Sequence, residues 1–433
     1  MSHDYAKRRE ELRRRLGPRG AAIVPGSRPA RRSGADGLHR FRQDSDLLYL
    51  CGFPEPECLA VITSAHPKHR FVLFVPPRDE KQEVWTGPRA GVEGAVARNG
   101  ADAAFPYGEL EAKLPEYLEN VEELTYLLGR DPDLDRRVLS AIASLGIKER
   151  EGITRPGRIC DPRLTLHEMR LRKDPDEVAL LRLSAVATAA GFAAAAAATR
   201  PGAFEYQLQA ELERGFLQRR GVPGFPSIVA AGVHATTLHY ELNAGELRDG
   251  ELVLIDAGAE VDGYTADVSR TFPVAGRFAG GQRRLYDAVL AAHAAAVAAT
   301  RPGATLDSIH QAALRVLVER LVDLGLLAGA PEVLVAEEGY KRFYMHRTSH
   351  WLGLDTHDVG SLLAGAKARP LEPGMVLTIE PGLYVPDAAD LPPDYRGCGI
   401  RIEDDVLVTA DGCEVLTQAI PRTADEVEHM VRG

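Results

Sequence analysis

A chain of 433 residues has room for two or three ordinary domains, and its 45% hydrophobic and 6% aromatic content is that of a globular protein with a sizeable core. Its 62 Asp and Glu outnumber 52 Lys and Arg, giving a formal net charge of −10. No domain-wide positive excess exists to neutralise phosphates, which excludes nucleic acid as the expected partner. The five cysteines, Cys51, Cys58, Cys160, Cys398 and Cys413, are odd in number, scattered and never spaced CxxC. That pattern predicts reduced thiols, and neither a disulfide framework nor a thiolate zinc site.

In chain order, Lys7-Arg8-Arg9 and Arg13-Arg14-Arg15 are interleaved with Glu10 and Glu11 and predict a solvated helix face. No basic segment leads into an apolar run with a small-residue cleavage site, so a cytoplasmic location is expected. Strand-like runs at 47–53, 59–63, 71–75 and 124–128 alternate with helical patterns, predicting an α/β domain over 1–165. Pro156, Gly157 and Pro162 mark an irregular connection and place a boundary there, with a second domain over 166–433. Asp174, Pro175 and Glu177 form a capping box that opens its first helix. The alanine-rich run 185–198 is shorter than the roughly 18 to 20 strongly apolar residues of a bilayer span and predicts a packed helix rather than a membrane anchor.

The second domain contains a repeat. Ala198-Thr199-Arg200-Pro201-Gly202-Ala203 recurs letter for letter as Ala299-Thr300-Arg301-Pro302-Gly303-Ala304, each copy between two helical patterns. Downstream, Leu247-Arg248-Asp249-Gly250 leads through an apolar strand to Asp256, and Leu371-Glu372-Pro373-Gly374 leads through another to Glu380. Two matches in the same order predict a duplicated helix-helix-strand-strand unit, a pseudo-twofold α+β domain with one acid from each half at a shared site.

Each apolar strand therefore delivers a carboxylate. A turn at Asp262-Gly263 predicts a hairpin that sets Asp256 and Asp267 in a diagonal cross-strand relation, about 7–8 Å apart. In the second half Arg401 and Glu403 share one strand face by alternation. Singly, these acids could be solvated strand ends, and Arg401 could simply neutralise Glu403. Buried, each needs a partner, a proton or a metal. His346, His350 and His357 cluster between these strands, which favours a site. Four carboxylates and one imidazole form a hard ligand set suited to two divalent first-row ions, manganese first, with zinc and cobalt as alternatives. Such a pair supports hydrolysis.

The segments Leu238-His239-Tyr240, Leu254-Ile255-Asp256-Ala257-Gly258, Gly263-Tyr264-Thr265-Ala266-Asp267, Ser349-His350-Trp351-Leu352-Gly353, Ile379-Glu380-Pro381-Gly382 and Gly399-Ile400-Arg401-Ile402-Glu403-Asp404 resemble those of the Xaa-Pro aminopeptidase (aminopeptidase P) family. Phe41-Arg42-Gln43-Asp44-Ser45-Asp46 and Gly52-Phe53-Pro54-Glu55-Pro56-Glu57 extend the resemblance to the first domain. It implies a creatinase-like amino-terminal domain before a pita-bread catalytic domain, two manganese ions, and release of the residue in front of an N-terminal proline. It further implies Asp256, Asp267, His350, Glu380 and Glu403 as metal ligands, with Glu380 also shuttling a proton. His357 would steady the scissile carbonyl, His239 and His346 would line the substrate subsites, and Arg401 would orient His239 or the substrate. Asp36 and Trp85 match positions that a neighbouring subunit adds to the substrate cleft, implying a homo-oligomer, a dimer or tetramer. Arg347, Thr348 and 360–371 depart from the family pattern. A prolidase acting on Xaa-Pro dipeptides is the nearest alternative, and a catalytically dead binding module the second.

Overall fold

The computed structural model describes residues 4–34 and 36–433, and the chain divides into two compact units, Met1–Arg170 and Leu171–Gly433. The expected boundary after 165 falls just before the short helix Leu166–Arg170. That helix stays with the first unit because His167 and Arg170 both bind Asp46, at 3.1 and 2.6 Å.

The first unit is built on a six-stranded mixed sheet in the order Ala103–Pro106, Phe71–Val75, Leu59–Thr63, Gly20–Pro25, Glu123–Thr125 and Arg158–Cys160. Leu59–Thr63 and Phe71–Val75 are buried along their whole length, which is why both read as unbroken apolar runs. Two expectations are corrected. The 47–53 run is a helix, Ser45–Cys51, because the Asp44 carboxylate caps the N–H groups of Asp46 and Leu47 and Gly52 ends it at φ 57. The basic helix Tyr5–Leu16 is solvated only in part. Arg13 and Arg14 pair with Glu10 and Glu11 outside, whereas Arg8 and Arg9 are buried, donate to the carbonyls of Tyr49 and Leu50, and stack on Tyr49 and Phe71.

The second unit opens with the helix Pro175–Ala198, capped by Asp174 and Glu177 as the sequence predicts. Leu180, Leu181, Phe192 and Ala195 bury one side of it. It ends at Thr199, whose hydroxyl bonds back to the Ala195 carbonyl; Gly280–Ala299 ends at Thr300, bonded back to Ala296. Gly202 then donates to the Leu247 carbonyl and Leu247 to that of Ala203, while Gly303 and Leu371 make the matching bonds with Leu371 and Ala304. Gly202 and Gly303 have φ of 80 and 85, Gly250 and Gly374 of 80 and 89. The duplicated letters thus fold into duplicated turns that deliver the strands Leu252–Ala257 and Val376–Ile379.

In the first half, Leu252–Ala257 lies between Ile228–Ala231 and Val268–Pro273, all antiparallel. In the second, Val376–Ile379 pairs with Asp404–Val408 and Gly382–Tyr384 with Gly399–Arg401. The halves meet where Val268–Pro273 runs beside 399–405. There Glu403 donates its N–H to the Ser269 carbonyl at 3.1 Å, and the fully buried Arg270 holds the Glu403 carbonyl and the Asp404 carboxylate at 2.6 and 2.8 Å.

Candidate metal centre

Asp262 and Gly263, at φ 48 and 89, form a two-residue turn joining Ala259–Val261 to Tyr264–Thr265. Two successive left-handed residues match the twist of a hairpin. The same register continues beyond it, setting Asp256 opposite Ser269, so that Asp267 is the diagonal neighbour of Asp256. Gly258 permits the close approach between them, since a Cβ there would lie 1.6 Å from the Ala266 carbonyl oxygen. In the second half the ladders on either side of Glu380 share one register, which sets Glu380 opposite Glu403. His350 arrives on 348–352, which runs antiparallel to Val376–Ile379 through the Trp351 to Leu377 bridge.

These five side chains converge. Ligand atoms of Asp267, His350 and Glu403 lie within 4.8 Å of one another. His350 Nε2 is 3.4 Å from Asp267 Oδ2 and 3.6 Å from Glu380 Oε1. Its Nδ1 donates to the Trp351 carbonyl at 2.9 Å, which turns Nε2 toward the carboxylates. Asp256 joins through Arg401, whose buried guanidinium donates to Asp256 Oδ2 at 2.5 Å, Ser269 Oγ at 2.8 Å and Tyr384 OH at 2.8 Å. Ser269 Oγ in turn donates to Glu403 Oε2 at 2.8 Å. Arg401 therefore pairs directly with Asp256 and is hydrogen-bonded toward Glu403 through Ser269, rather than forming the simple ion pair the sequence left open.

Burial raises Asp267 to about 6, Glu380 to about 7 and Glu403 well above the carboxylate range, each also feeling a neighbouring carboxylate. Burial would lower His350, but the Asp267 hydrogen bond and the Glu380 and Asp267 charges lift it to about 9. So many buried anionic groups are stable together only with protons or cations among them. Asp256 Oδ1 is buried with no hydrogen-bond partner. An orphaned carboxylate oxygen, an imidazole nitrogen facing the carboxylates and the crowding of those carboxylates fit divalent cations.

The other expected residues surround this set. His357 meets the His350 ring edge to face at 4.4 Å between centroids, and its pKa is lowered by burial and by the His350 charge. His346 Nδ1 donates to the Arg347 carbonyl at 2.8 Å and lies 3.5 Å from Glu380 Oε2, while Nε2 meets Tyr384 OH at 2.8 Å. Burial and the Arg401 charge push His346 down to about 3, so it is neutral. His239 is exposed, and its charge depresses both His346 and His357. Asp36 and Trp85 are exposed residues of the first unit, Trp85 on the helix Glu80–Thr86. Sequence reasoning missed Ser269 and Tyr384. Ser269 was accessible as the direct hairpin partner of Asp256; Tyr384 carried no local signal.

Comparison with known proteins agrees with this geometry. Residues 179–410 match the model of metallopeptidase family M24, and 5–126 that of the aminopeptidase P N-terminal domain. The Xaa-Pro aminopeptidase of Escherichia coli K12 is 40% identical over 431 residues, covering 99% of this chain and 97% of that protein. Pseudomonas aeruginosa aminopeptidase PepP superposes with a TM-score of 0.96 at 43% identity, covering 99% of this chain and 97% of that one. A Zn-substituted E. coli aminopeptidase P in complex with product gives a TM-score of 0.95 at 39% identity, covering 99% and 98%. With a creatinase-like amino-terminal domain and a duplicated pita-bread domain in the order the sequence predicts, the chain belongs to metallopeptidase family M24 and carries the N-terminal domain of the aminopeptidases P.

Proposed function

We propose that this protein is a Xaa-Pro aminopeptidase that removes the residue preceding proline at a peptide N-terminus, using two divalent ions, manganese first, in a cytoplasmic homo-oligomer. The observation that carries the reading is the convergence of Asp267, Glu380 and Glu403 on Nε2 of His350, with Asp256 tied to them through Arg401 and Ser269. Full-length similarity to Xaa-Pro aminopeptidases supports the substrate. In this reading Asp256, Asp267, His350, Glu380 and Glu403 hold the metals. When bound, the ions lower the pKa of water and polarise the carbonyl under attack.

The remaining steps belong to side chains. Arg401 occupies Asp256 Oδ2, which leaves Oδ1 to coordinate. Glu380 takes the proton of the attacking water and returns it to the departing proline nitrogen, with Thr378 Oγ1 3.4 Å from its Oε1. His357, neutral beside His350, donates to the carbonyl oxygen as charge develops. His239 and His346 line the substrate subsites, and Asp36 and Trp85 of a neighbouring copy complete the cleft.

Mass spectrometry of Xaa-Pro-Yaa, Xaa-Ala-Yaa and Xaa-Pro incubated with manganese, then with a chelator, tests this. Xaa should be released from Xaa-Pro-Yaa, far less from the alanine peptide, and release should stop on chelation and resume with manganese. Equal cleavage of the alanine peptide would sink the proline specificity, and cleavage of the dipeptide alone would make the protein a prolidase.

A further inference from the structure

Residues 344–347 have no regular secondary structure, yet they deliver His346 and lead into the paired segment that bears His350. Ahead of the pairing of 348–352 with Val376–Ile379, the stretch 344–347 lacks the backbone ladder that fixes a strand, so its side-chain bonds determine how well His346 is held. Thr348, one of the departures from the family pattern, is fully buried. Its Oγ1 lies 2.7 Å from Tyr344 OH and 2.8 Å from Nδ1 of His310, a buried residue of the helix Leu306–Asp323.

We propose that Thr348, bonded between Tyr344 and His310, is a positioning residue for His346 and Glu380; the inference rests on the peptidase reading above. The single hydroxyl closes the loop on itself through Tyr344 and fastens it to the helix through His310. The Thr348 carbonyl accepts the Glu380 N–H at 2.8 Å, so the same residue sets the backbone of the proton shuttle. The Tyr344 ring packs edge to face on His346, 4.9 Å between centroids at 73°. Displacement of Tyr344 therefore displaces His346.

Burial, helped by the Arg347 charge, pushes His310 down to about 4, so the ring is neutral near pH 7. One direction of bonding satisfies every group: Tyr344 donates to Thr348 Oγ1, and the Thr348 hydroxyl donates to Nδ1 of His310. A valine at 348 would keep the shape but leave a buried phenol and a buried ring nitrogen without partners.

The test compares Thr348→Val, which keeps shape, with Thr348→Ser, which keeps the hydroxyl, and adds Tyr344→Phe. Manganese content, hydrogen exchange over 343–352, and kcat and KM on Xaa-Pro-Yaa and Xaa-Ala-Yaa are measured. Thr348→Val should fold and bind manganese, exchange faster over 343–352, lose roughly ten-fold in kcat/KM on the proline peptide, and narrow its preference for proline. Thr348→Ser should stay within about two-fold of the parent, and Tyr344→Phe should move the same way as Thr348→Val. Unchanged exchange and selectivity in folded Thr348→Val would overturn the proposal, as would a serine variant no better than the valine one. If Thr348→Val does not fold, Tyr344→Phe decides by the same readouts. A parent protein inactive on proline peptides would overturn the peptidase reading, while the exchange comparison would still decide whether the hydroxyl holds the loop.

Discussion

Glu380 and Asp267 take up protons on folding, because burial raises them to about 7 and about 6 from ordinary values of 4.5 and 3.8. His350 is raised to about 9 from 6.5. Between the unfolded and folded values the folded state binds more protons, so these groups make the metal-free protein lose stability as pH rises from about 4 to about 9. Divalent ions must displace those protons, which makes binding tighter at higher pH. Thermal melting with a chelator and with manganese should show a larger manganese shift near pH 8 than near pH 5; equal shifts would contradict the assignment. Glu380→Ala should fold but lose a factor of roughly 10² to 10⁴ in kcat, through loss of ligand and shuttle together. His357→Ala should lower kcat while keeping manganese, as atomic absorption would check, because its ring touches His350 without joining the carboxylates.

At the scale of elements, the segment bearing His350 and His357 is pinned to the start of the second unit. Lys173 Nζ binds Asp358 Oδ2 at 2.9 Å with both side chains 1% exposed. The Asp358 N–H also donates to the Trp351 carbonyl, and the Lys173 N–H to that of Gly374. Lys173→Met would leave a buried carboxylate without its cation, a loss of about 3–5 kcal/mol. Chemical denaturation should record that loss, and a change under about 1 kcal/mol would show the pair to be dispensable. The hairpin through Asp262-Gly263 was legible in the sequence because its register depends only on turn length and on alternation within one continuous segment. The helix Ser45–Cys51 was misread because a short apolar run suits either a strand or a helix, and the Asp44 cap settles the choice.

The whole molecule places its two tryptophans in opposite environments, Trp351 3% and Trp85 85% exposed. An exposed Trp85 beside an 83% exposed Val84 suits a surface that another copy covers, as the proposed oligomer requires. In a Trp351→Phe variant Trp85 is the sole indole emitter. Its emission should shift to the blue as concentration rises through assembly, in step with sedimentation velocity. Constant red emission in an assembled protein would remove Trp85 from the subunit contact.

By itself the sequence pointed to four strand-end acids beside a histidine cluster, and it determined the duplicated turns and the equivalence of Asp256 and Glu380. Each depends on local features: strand alternation, a two-residue turn, and a motif written twice. Only the tertiary structure decided how those groups are connected. Arg401 bonds Asp256 and Ser269 from the other half, Tyr384 links Arg401 to His346, and Arg8 and Arg9 are drawn into the first unit's interior. A long side chain chooses its partner according to which distant strand lies alongside it. Alternation within its own strand gives the face from which it leaves, but not the group it reaches.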